Sequence, residues 1–170
     1  MFDCSNFPPL PVPSTLMAQV MRVESNFNPY AIGVVGGRLA RQPRTLSEAV
    51  ASAQALIQMG KNFSVGIAQV NLHNLQKYGL SSLEAAFSPC QNIQAGARIL
   101  AECYQRAHDW GKALSCYYSG NFSTGFRHGY VQKVLAQFSH SQPNHFPKNW
   151  HIPSPPMRQT SHHQDSSFVF

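Results

Sequence analysis

The chain has 170 residues, of which 43% are hydrophobic, so it is long enough to form one domain with a sizeable core. Its formal net charge is +6, which suits an acidic polymer, an anionic surface or nucleic acid. The Lys and Arg residues are scattered without a run of four, which argues against nucleic acid. No segment approaches the ~18 consecutive apolar residues of a membrane-spanning helix, so we expect no transmembrane segment.

The Pro-rich residues 1–13 predict an extended lead-in. They lack the basic start and apolar centre of a signal peptide. Three explanations stay open: the chain begins after a removed signal, the start is internal, or export uses another route.

The next stretch predicts a helix over residues 14–27, with Ser14 as its N-cap and Pro29 beyond its end. Its apolar stripe has helical spacing: Leu16, Val20, Val23 and Phe27. Glu24 lies on the same stripe. Burial raises the pKa of a carboxyl group, and so does the carbonyl end of a helix. Glu24 is therefore placed to stay protonated and to donate a proton near neutral pH. The alternative is a structural Glu24 that turns to solvent at a frayed end.

Residues 30–44 carry glycines among β-branched residues and predict a small hairpin or an irregular loop. Residues 45–60 predict a second helix, opened by a capping box of Thr45 and Glu48. Its predicted buried stripe has five members: Leu46, Ala49, Val50, Ala53 and Ile57.

Residues 62–71 form a short apolar stretch in which Gly66 permits close approach and Gln69 offers a donor and an acceptor. A helical turn over 72–78 follows. Ser81 and Glu84 then predict a capping box and a short helix before the proline at 89.

Residues 91–107 give the clearest helical pattern. A helix over 110–117 and a last helix over 130–138 follow. We expect a folded domain over residues 1–139 and a disordered tail over 140–170, which is rich in Pro, His and Ser. The tail histidines lack spaced partners, so solvated side chains are favoured over a metal site.

The four cysteines do not form a CxxC motif, which argues against zinc. Two disulfides are favoured, with Cys103–Cys116 across a short interhelical turn and Cys4–Cys90 as the second pair. Four reduced, buried thiols are the alternative.

Elimination among the acidic residues also indicates Glu24. Asp3 and Asp165 lie in the lead-in and the tail, and Asp109 lies in a turn. The remaining glutamates occupy capping boxes or a polar helix face: Glu48, Glu84 and Glu102. No second carboxylate is placed to act with Glu24, which argues against a glycosidase mechanism that uses two carboxylates.

Taken in order, several short motifs resemble the lytic transglycosylases with a goose-lysozyme-like fold, particularly those that accompany type IV secretion and conjugation. The matching residues are Glu24, Ser25, Asn28 and Pro29; Gly66, Ile67, Ala68, Gln69 and Val70; Asn92, Ile93 and Gly96; Tyr117, Ser119 and Gly120; and Tyr130 with Val131. The likeness covers about residues 12–138. Two positions depart from the family pattern, since Ala68 replaces a common Met and Tyr118 replaces the usual Asn.

The resemblance implies a mainly α, lysozyme-like domain with at most a small β-hairpin. It implies cleavage of the β-1,4 bond between N-acetylmuramic acid and N-acetylglucosamine in periplasmic peptidoglycan, with a 1,6-anhydro product and without a metal or cofactor. Glu24 would be the catalytic acid, and four residues would line the site or hold the glycan: Ser25, Gln69, Tyr117 and Tyr130. Secretion-channel proteins would be further partners. Two alternatives stay open: a hydrolytic lysozyme, and a non-catalytic glycan-binding assembly factor of a secretion channel.

Overall fold

The computed structural model describes residues 2–141, without the side chains of residues 137 and 139–141. Within that range the helices are α1 (Ser14–Ser25), α2 (Leu46–Gln58), α3 (Leu83–Phe87), α4 (Pro89–Ala107), α5 (Trp110–Ser119), α6 (Thr124–Arg127) and α7 (Tyr130–Ser141). The strands are β1 (Ile32–Val34), β2 (Phe63–Val65) and β3 (Val70–Asn71), and a 3₁₀ turn covers Leu72–Asn74. The prediction of a mainly α domain is confirmed. The predicted tail lies outside the described residues, except that α7 includes residues 140 and 141.

Helix α1 begins and ends slightly differently from the prediction. Its N-cap is Pro13 rather than Ser14, and no side chain caps it. It ends at Ser25 because Asn26 (φ 51°) and Phe27 (φ 62°) both adopt the left-handed conformation, which cannot continue a right-handed helix. The reversal comes directly after the turn that contains the candidate acid.

Helix α2 has the predicted cap but only one half of the predicted capping box. The hydroxyl of Thr45 accepts a hydrogen bond from the Glu48 backbone N–H at 3.2 Å. The Glu48 carboxylate pairs with Arg41 at 3.0 Å and accepts from the Arg44 backbone N–H at 3.0 Å. The side chain of Glu48 therefore anchors the preceding loop.

The buried face of α2 differs from the predicted stripe. Ala49, Ala53 and Leu56 are buried, whereas Leu46 and Ile57 are 39% and 45% exposed. At ~100° per residue, the buried face is rotated by roughly 50° from the predicted one. Apolar periodicity located the helix, but the tertiary contacts decided which side of a largely apolar helix is buried.

The β element is a three-stranded antiparallel sheet in the order β1-β2-β3. Ile32 pairs with Val65, and Ser64 pairs with Asn71. The first two strands are separated by the whole of α2, so local spacing could not predict their pairing. The sheet has one strand more than a hairpin, and it fixes both ends of the turn formed by residues 66–69.

Two helix starts in the middle of the chain also differ from the prediction. The cap of α3 is Ser82, whose hydroxyl accepts from the Ala85 backbone N–H at 3.1 Å, rather than Ser81. The two adjacent serines offer the same capping hydroxyl, and in the folded chain Ser82 occupies the N-cap position. Helix α4 begins at Pro89, two residues earlier than predicted, because proline fits the first helical position.

Helices α4 and α5 form an antiparallel pair around a short turn. Asp109 caps α5 by accepting from the Lys112 backbone N–H at 2.7 Å, which fits its expected place in a turn. The Cys103–Cys116 disulfide joins the two helices, and Cys4–Cys90 joins the lead-in to the start of α4. Both predicted pairings are confirmed.

The remaining packing brings the two ends of the domain together. Helix α5 packs on α4, α6 and α7, and α7 packs on α1. Short α6 was not predicted. Between residues 2 and 141, no helix has the length and apolar character needed to cross a membrane.

Candidate active site

The candidate site lies where the last turn of α1 meets the first turn of α7. The hydroxyl of Tyr130 donates a hydrogen bond to Glu24 Oε1, with an Oη–Oε1 distance of 2.6 Å. The two residues are 106 positions apart in sequence. The packing of α7 on α1 therefore joins two residues that the sequence singled out separately.

The carboxyl group of Glu24 is buried, although the residue as a whole keeps part of its surface in solvent. Its Oε2 atom has essentially no solvent-accessible area and no hydrogen-bond partner among the described residues. Desolvation raises the pKa of Glu24 from 4.5 to about 7, against the smaller lowering effect of the Tyr130 hydrogen bond. Burial disfavours the charged carboxylate. Near neutral pH, Glu24 can therefore hold a proton and release it.

Ser25 ties the end of α1 to the turn at residues 66–69. Its hydroxyl lies 2.7 Å from the carbonyl oxygen of Ile67 and 3.1 Å from that of Met21. A serine hydroxyl has a single proton, so the two carbonyls share one donor. The bond to Ile67 fixes the position of the turn relative to Glu24.

Gln69 closes the same turn. It adopts φ 51°, and its Nε2 donates to the carbonyl oxygens of Ala31 at 3.0 Å and Gly66 at 2.8 Å. The backbone of the turn and of the segment before β1 thus occupies both side-chain N–H groups of Gln69.

Asn92 is a structural residue at the centre of this region, and it is completely buried. Its Oδ1 accepts from the Ala68 backbone N–H at 2.7 Å. Its Nδ2 donates to Val65 at 3.0 Å and to Ala86 at 2.8 Å. Gly66 (φ 82°) is required here, because a Cβ at that position would overlap the Asn92 side chain. The sequence flagged Asn92 only as part of a motif and gave no structural role for it.

Tyr117 holds the turn from the side of α5. Its hydroxyl donates to the Ala68 carbonyl oxygen at 2.5 Å. Helix α4 can lie close to the turn and to Tyr117 because residue 96 is glycine. A Cβ at that position would lie 2.7 Å from the Ala68 Cβ and 3.0 Å from the Tyr117 hydroxyl. Burial, followed by the nearby Glu24 charge, raises the pKa of Tyr117 well above its ordinary value. Tyr117 is therefore a neutral hydrogen-bond donor.

Two further aromatic side chains, Tyr118 and His128, lie behind Tyr130. The rings of Tyr118 and Tyr130 are stacked, with centroids 4.7 Å apart and planes at 20°. The hydroxyl of Tyr118 lies 3.2 Å from Nδ1 of His128. The sequence placed residues 128–134 near the candidate acid but gave His128 no role of its own, since its contact with α5 depends on the path of the α6–α7 connection.

Of the predicted site residues, only Tyr130 bonds directly to Glu24. The other three converge on the turn at residues 66–69 through backbone carbonyls: Ser25, Gln69 and Tyr117. The described side chains contain no cluster of His, Cys, Asp and Glu that would hold a metal ion.

Comparison with known families agrees with this arrangement. The family model described as "Transglycosylase SLT domain" matches residues 10–137, which is well over half of the chain. The chain belongs to the transglycosylase SLT domain family. The predicted lysozyme-like fold class is thereby confirmed, and the match includes Glu24, the turn at residues 66–69, Tyr117 and Tyr130.

The relatives of this SLT domain include proteins with secretion-system names. The "Type IV secretion system protein virB1" of Brucella abortus is 53% identical over 142 residues, which cover 75% of this chain and 59% of the relative. "Protein virB1" of Agrobacterium fabrum is 30% identical over 135 residues, covering 74% of this chain and 54% of the relative. The chain thus spans less than two thirds of the length of these curated relatives. No solved structure matches it significantly.

Proposed function

We propose that this chain is a peptidoglycan lytic transglycosylase, with Glu24 as its single catalytic acid and base. The observation that supports the proposal best is the state of the Glu24 carboxyl group. It is desolvated, its pKa is raised to about 7, and Tyr130 occupies Oε1. Because Oε1 already accepts a hydrogen bond from Tyr130, the proton belongs on Oε2, which has no hydrogen-bond partner among the described residues.

In the first proposed step, Oε2 of Glu24 gives its proton to the oxygen that links the muramic sugar to the departing N-acetylglucosamine. The C1–O bond breaks, and the N-acetyl group of the muramic sugar stabilises the positive charge at C1. In the second step, the C6 hydroxyl of the same sugar attacks C1, and its proton returns to Glu24. The result is a 1,6-anhydro ring and a regenerated acid, without consumption of water.

The remaining acids of the described chain support a mechanism with one carboxylate. Glu48 pairs with Arg41, and Glu102 pairs with Lys77 at 2.9 Å. The other three are engaged in turns or exposed: Asp3 bonds to Ser5, Asp109 caps α5 and Glu84 lies exposed on α3. None of these five is a partner of Glu24 that would activate a water molecule.

Glycan contacts by Ser25, Gln69, Tyr117 and Tyr130 stay a prediction. Their polar groups bind the 66–69 turn or Glu24, so we propose that they act mainly by shaping the wall against which the glycan lies. Oε2 has almost no solvent contact, so the glycan must displace a covering group to reach it. Binding and proton transfer are therefore coupled in this proposal.

We further propose that the protein acts in the periplasm and opens the cell wall locally for a type IV secretion or conjugation apparatus. The name of the Brucella relative, a type IV secretion system protein, supports this role. The positive net charge of +6 fits the carboxylates of peptidoglycan stem peptides.

The proposal is tested with purified peptidoglycan, the parent protein and two variants. Glu24→Gln removes the transferable proton but keeps the shape of the side chain, and Glu84→Gln is a matched change on the surface of α3. We expect soluble muropeptides from the parent and Glu84→Gln, and none from a folded Glu24→Gln. Absence of release by the folded parent would favour a non-catalytic glycan-binding factor. Release by Glu24→Gln at the parent rate would refute the assignment of the acid.

A further inference from the structure

We infer that Tyr118 and His128 are positioning residues that hold the Tyr130 phenol against Glu24. The inference rests on the proposed function of Glu24. It also explains the presence of tyrosine at position 118, where the resemblance leads one to expect asparagine. Neither residue needs to touch the reacting sugar to affect the chemistry.

The geometry forms a chain of contacts from the surface to the buried acid. His128 is exposed, whereas Tyr118 and Tyr130 are buried. The His128 ring lies 3.2 Å from the Tyr118 hydroxyl, and the Tyr118 ring stacks on that of Tyr130 at 4.7 Å. Tyr130 in turn donates to Glu24 at 2.6 Å. The stack is a contact of ring faces, so its effect is to fix orientation.

Tyr130 needs such support because of its place in the chain. It is the first residue of α7, and the preceding Gly129 adopts φ 76°. Glycine restrains the backbone less than any other residue, so contacts from other elements must help to define where the ring lies. Tyr118 comes from α5, which the Cys103–Cys116 disulfide ties to α4. The stacking contact therefore fixes the position of the Tyr130 ring relative to α5.

His128 fixes the other end of the support. It is the C-cap residue of α6 and lies two positions before Tyr130. Its bond to the Tyr118 hydroxyl therefore ties the segment between α6 and α7 to α5, just before the chain enters α7. This bond restrains the tilt of the Tyr118 ring and, through the stack, the tilt of Tyr130.

The orientation of the phenol decides how the Glu24 carboxyl group is used. While Tyr130 donates to Oε1, the carboxyl proton resides on Oε2, as the proposed reaction requires. A phenol that turns away releases Oε1, and the proton then has two equivalent positions. Displacement of a catalytic group by ~1 Å is enough to reduce a rate by up to ~100-fold.

The kinetic test measures kcat and KM on soluble glycan strands prepared from peptidoglycan. Tyr118→Leu removes the stacking ring, and we expect kcat to fall ~10–100-fold with KM within ~2-fold of the parent. Tyr118→Phe keeps the ring and loses the hydroxyl, so its kcat should lie between those of the parent and Tyr118→Leu. His128→Ala changes an exposed residue and should match Tyr118→Phe, with no further loss when the two are combined.

A double-mutant cycle identifies the route of the effect. Tyr130→Phe removes the hydroxyl that is being positioned, so adding Tyr118→Leu to it should cause little further loss of kcat. Multiplicative losses in the double variant would overturn the inference, because they would show that Tyr118 acts independently of Tyr130. A loss confined to KM would also overturn it, since that would indicate a direct contact with glycan.

A measurement without substrate separates this inference from the proposed activity. ¹³C NMR of the labelled Glu24 carboxyl group gives its pKa in each folded variant. Since the Tyr130 hydrogen bond lowers that pKa, Tyr130→Phe should raise it, and Tyr118→Leu should shift it in the same direction. A fall towards 4.5 in Tyr118→Leu would overturn the inference, because it would show that the ring only shields Glu24 from water. A parent that releases no muropeptides would refute the activity, while the NMR result would still decide how Tyr118 acts.

Discussion

Replacing Glu24 with glutamine should increase the stability of the protein most at neutral and alkaline pH. The pKa of Glu24 is raised from 4.5 to about 7 by burial, so the folded state retains a proton that the unfolded state has lost. Stability therefore falls as pH rises from the unfolded pKa through the folded pKa. Below both values the carboxyl group is neutral in either state and makes no pH-dependent contribution.

The magnitude follows from the size of the shift. A change of about 2.5 units, from 4.5 to about 7, corresponds to roughly 3 kcal/mol at 1.36 kcal/mol per unit. This is the expected increase in the stability difference between Glu24→Gln and the parent from about pH 4 to about pH 8. The amide stays neutral throughout, so the variant lacks this part of the pH dependence.

Urea unfolding at several pH values provides the assay, with the free energy of unfolding extrapolated to water. The difference between variant and parent cancels the contributions of the other titrating groups. Glu84→Gln changes an exposed carboxylate on α3, so it should give nearly parallel stability curves. Parallel curves for Glu24→Gln as well, or a parent that becomes more stable as pH rises from 4.5 to 7 relative to the variant, would refute the account of a desolvated acid.

Three further changes test the scaffold of the site. Gly66→Ala should destabilise the protein much more than Gly79→Ala, because both glycines have positive φ but only a Cβ at 66 overlaps Asn92; equal losses in urea unfolding would contradict this. Asn92→Ala leaves three buried backbone groups without their partners and should cost about 3 kcal/mol or more; a loss below about 1 kcal/mol would show that water replaces the amide. Replacing both Cys103 and Cys116 with serine should cost about 3 kcal/mol, and an unchanged unfolding midpoint would contradict that estimate.

The sequence predicted those parts of the fold that depend on local patterns. The spacing of apolar residues located the long helices, and Thr45 was identified as a helix cap because its chemistry acts within one turn. The Cys103–Cys116 disulfide could be predicted for the same reason, since both cysteines flank one short turn. Elimination among few acidic residues singled out Glu24 because its position on an apolar stripe is unusual.

What the sequence could not predict depends on contacts between distant segments. The pairing of β1 with β2 and the rotation of α2 arise when the helices pack together, and neither leaves a periodic signal. The choice of Ser82 over Ser81 is a difference of one residue between chemically identical caps. The contact of His128 with Tyr118 requires α6, a helix of four residues that is too short to produce a pattern.

The products released from peptidoglycan test the central claim most directly. The C6 hydroxyl is tethered to the reacting carbon, so it has the high effective concentration of an intramolecular nucleophile, and no second carboxylate in the described chain is placed to activate water beside Glu24. Mass spectrometry of muropeptides released by the parent protein should therefore show 1,6-anhydro ends, one water lighter than lysozyme products. Products with a free reducing end that borohydride reduces would show that water is the acceptor and would contradict the transglycosylase account.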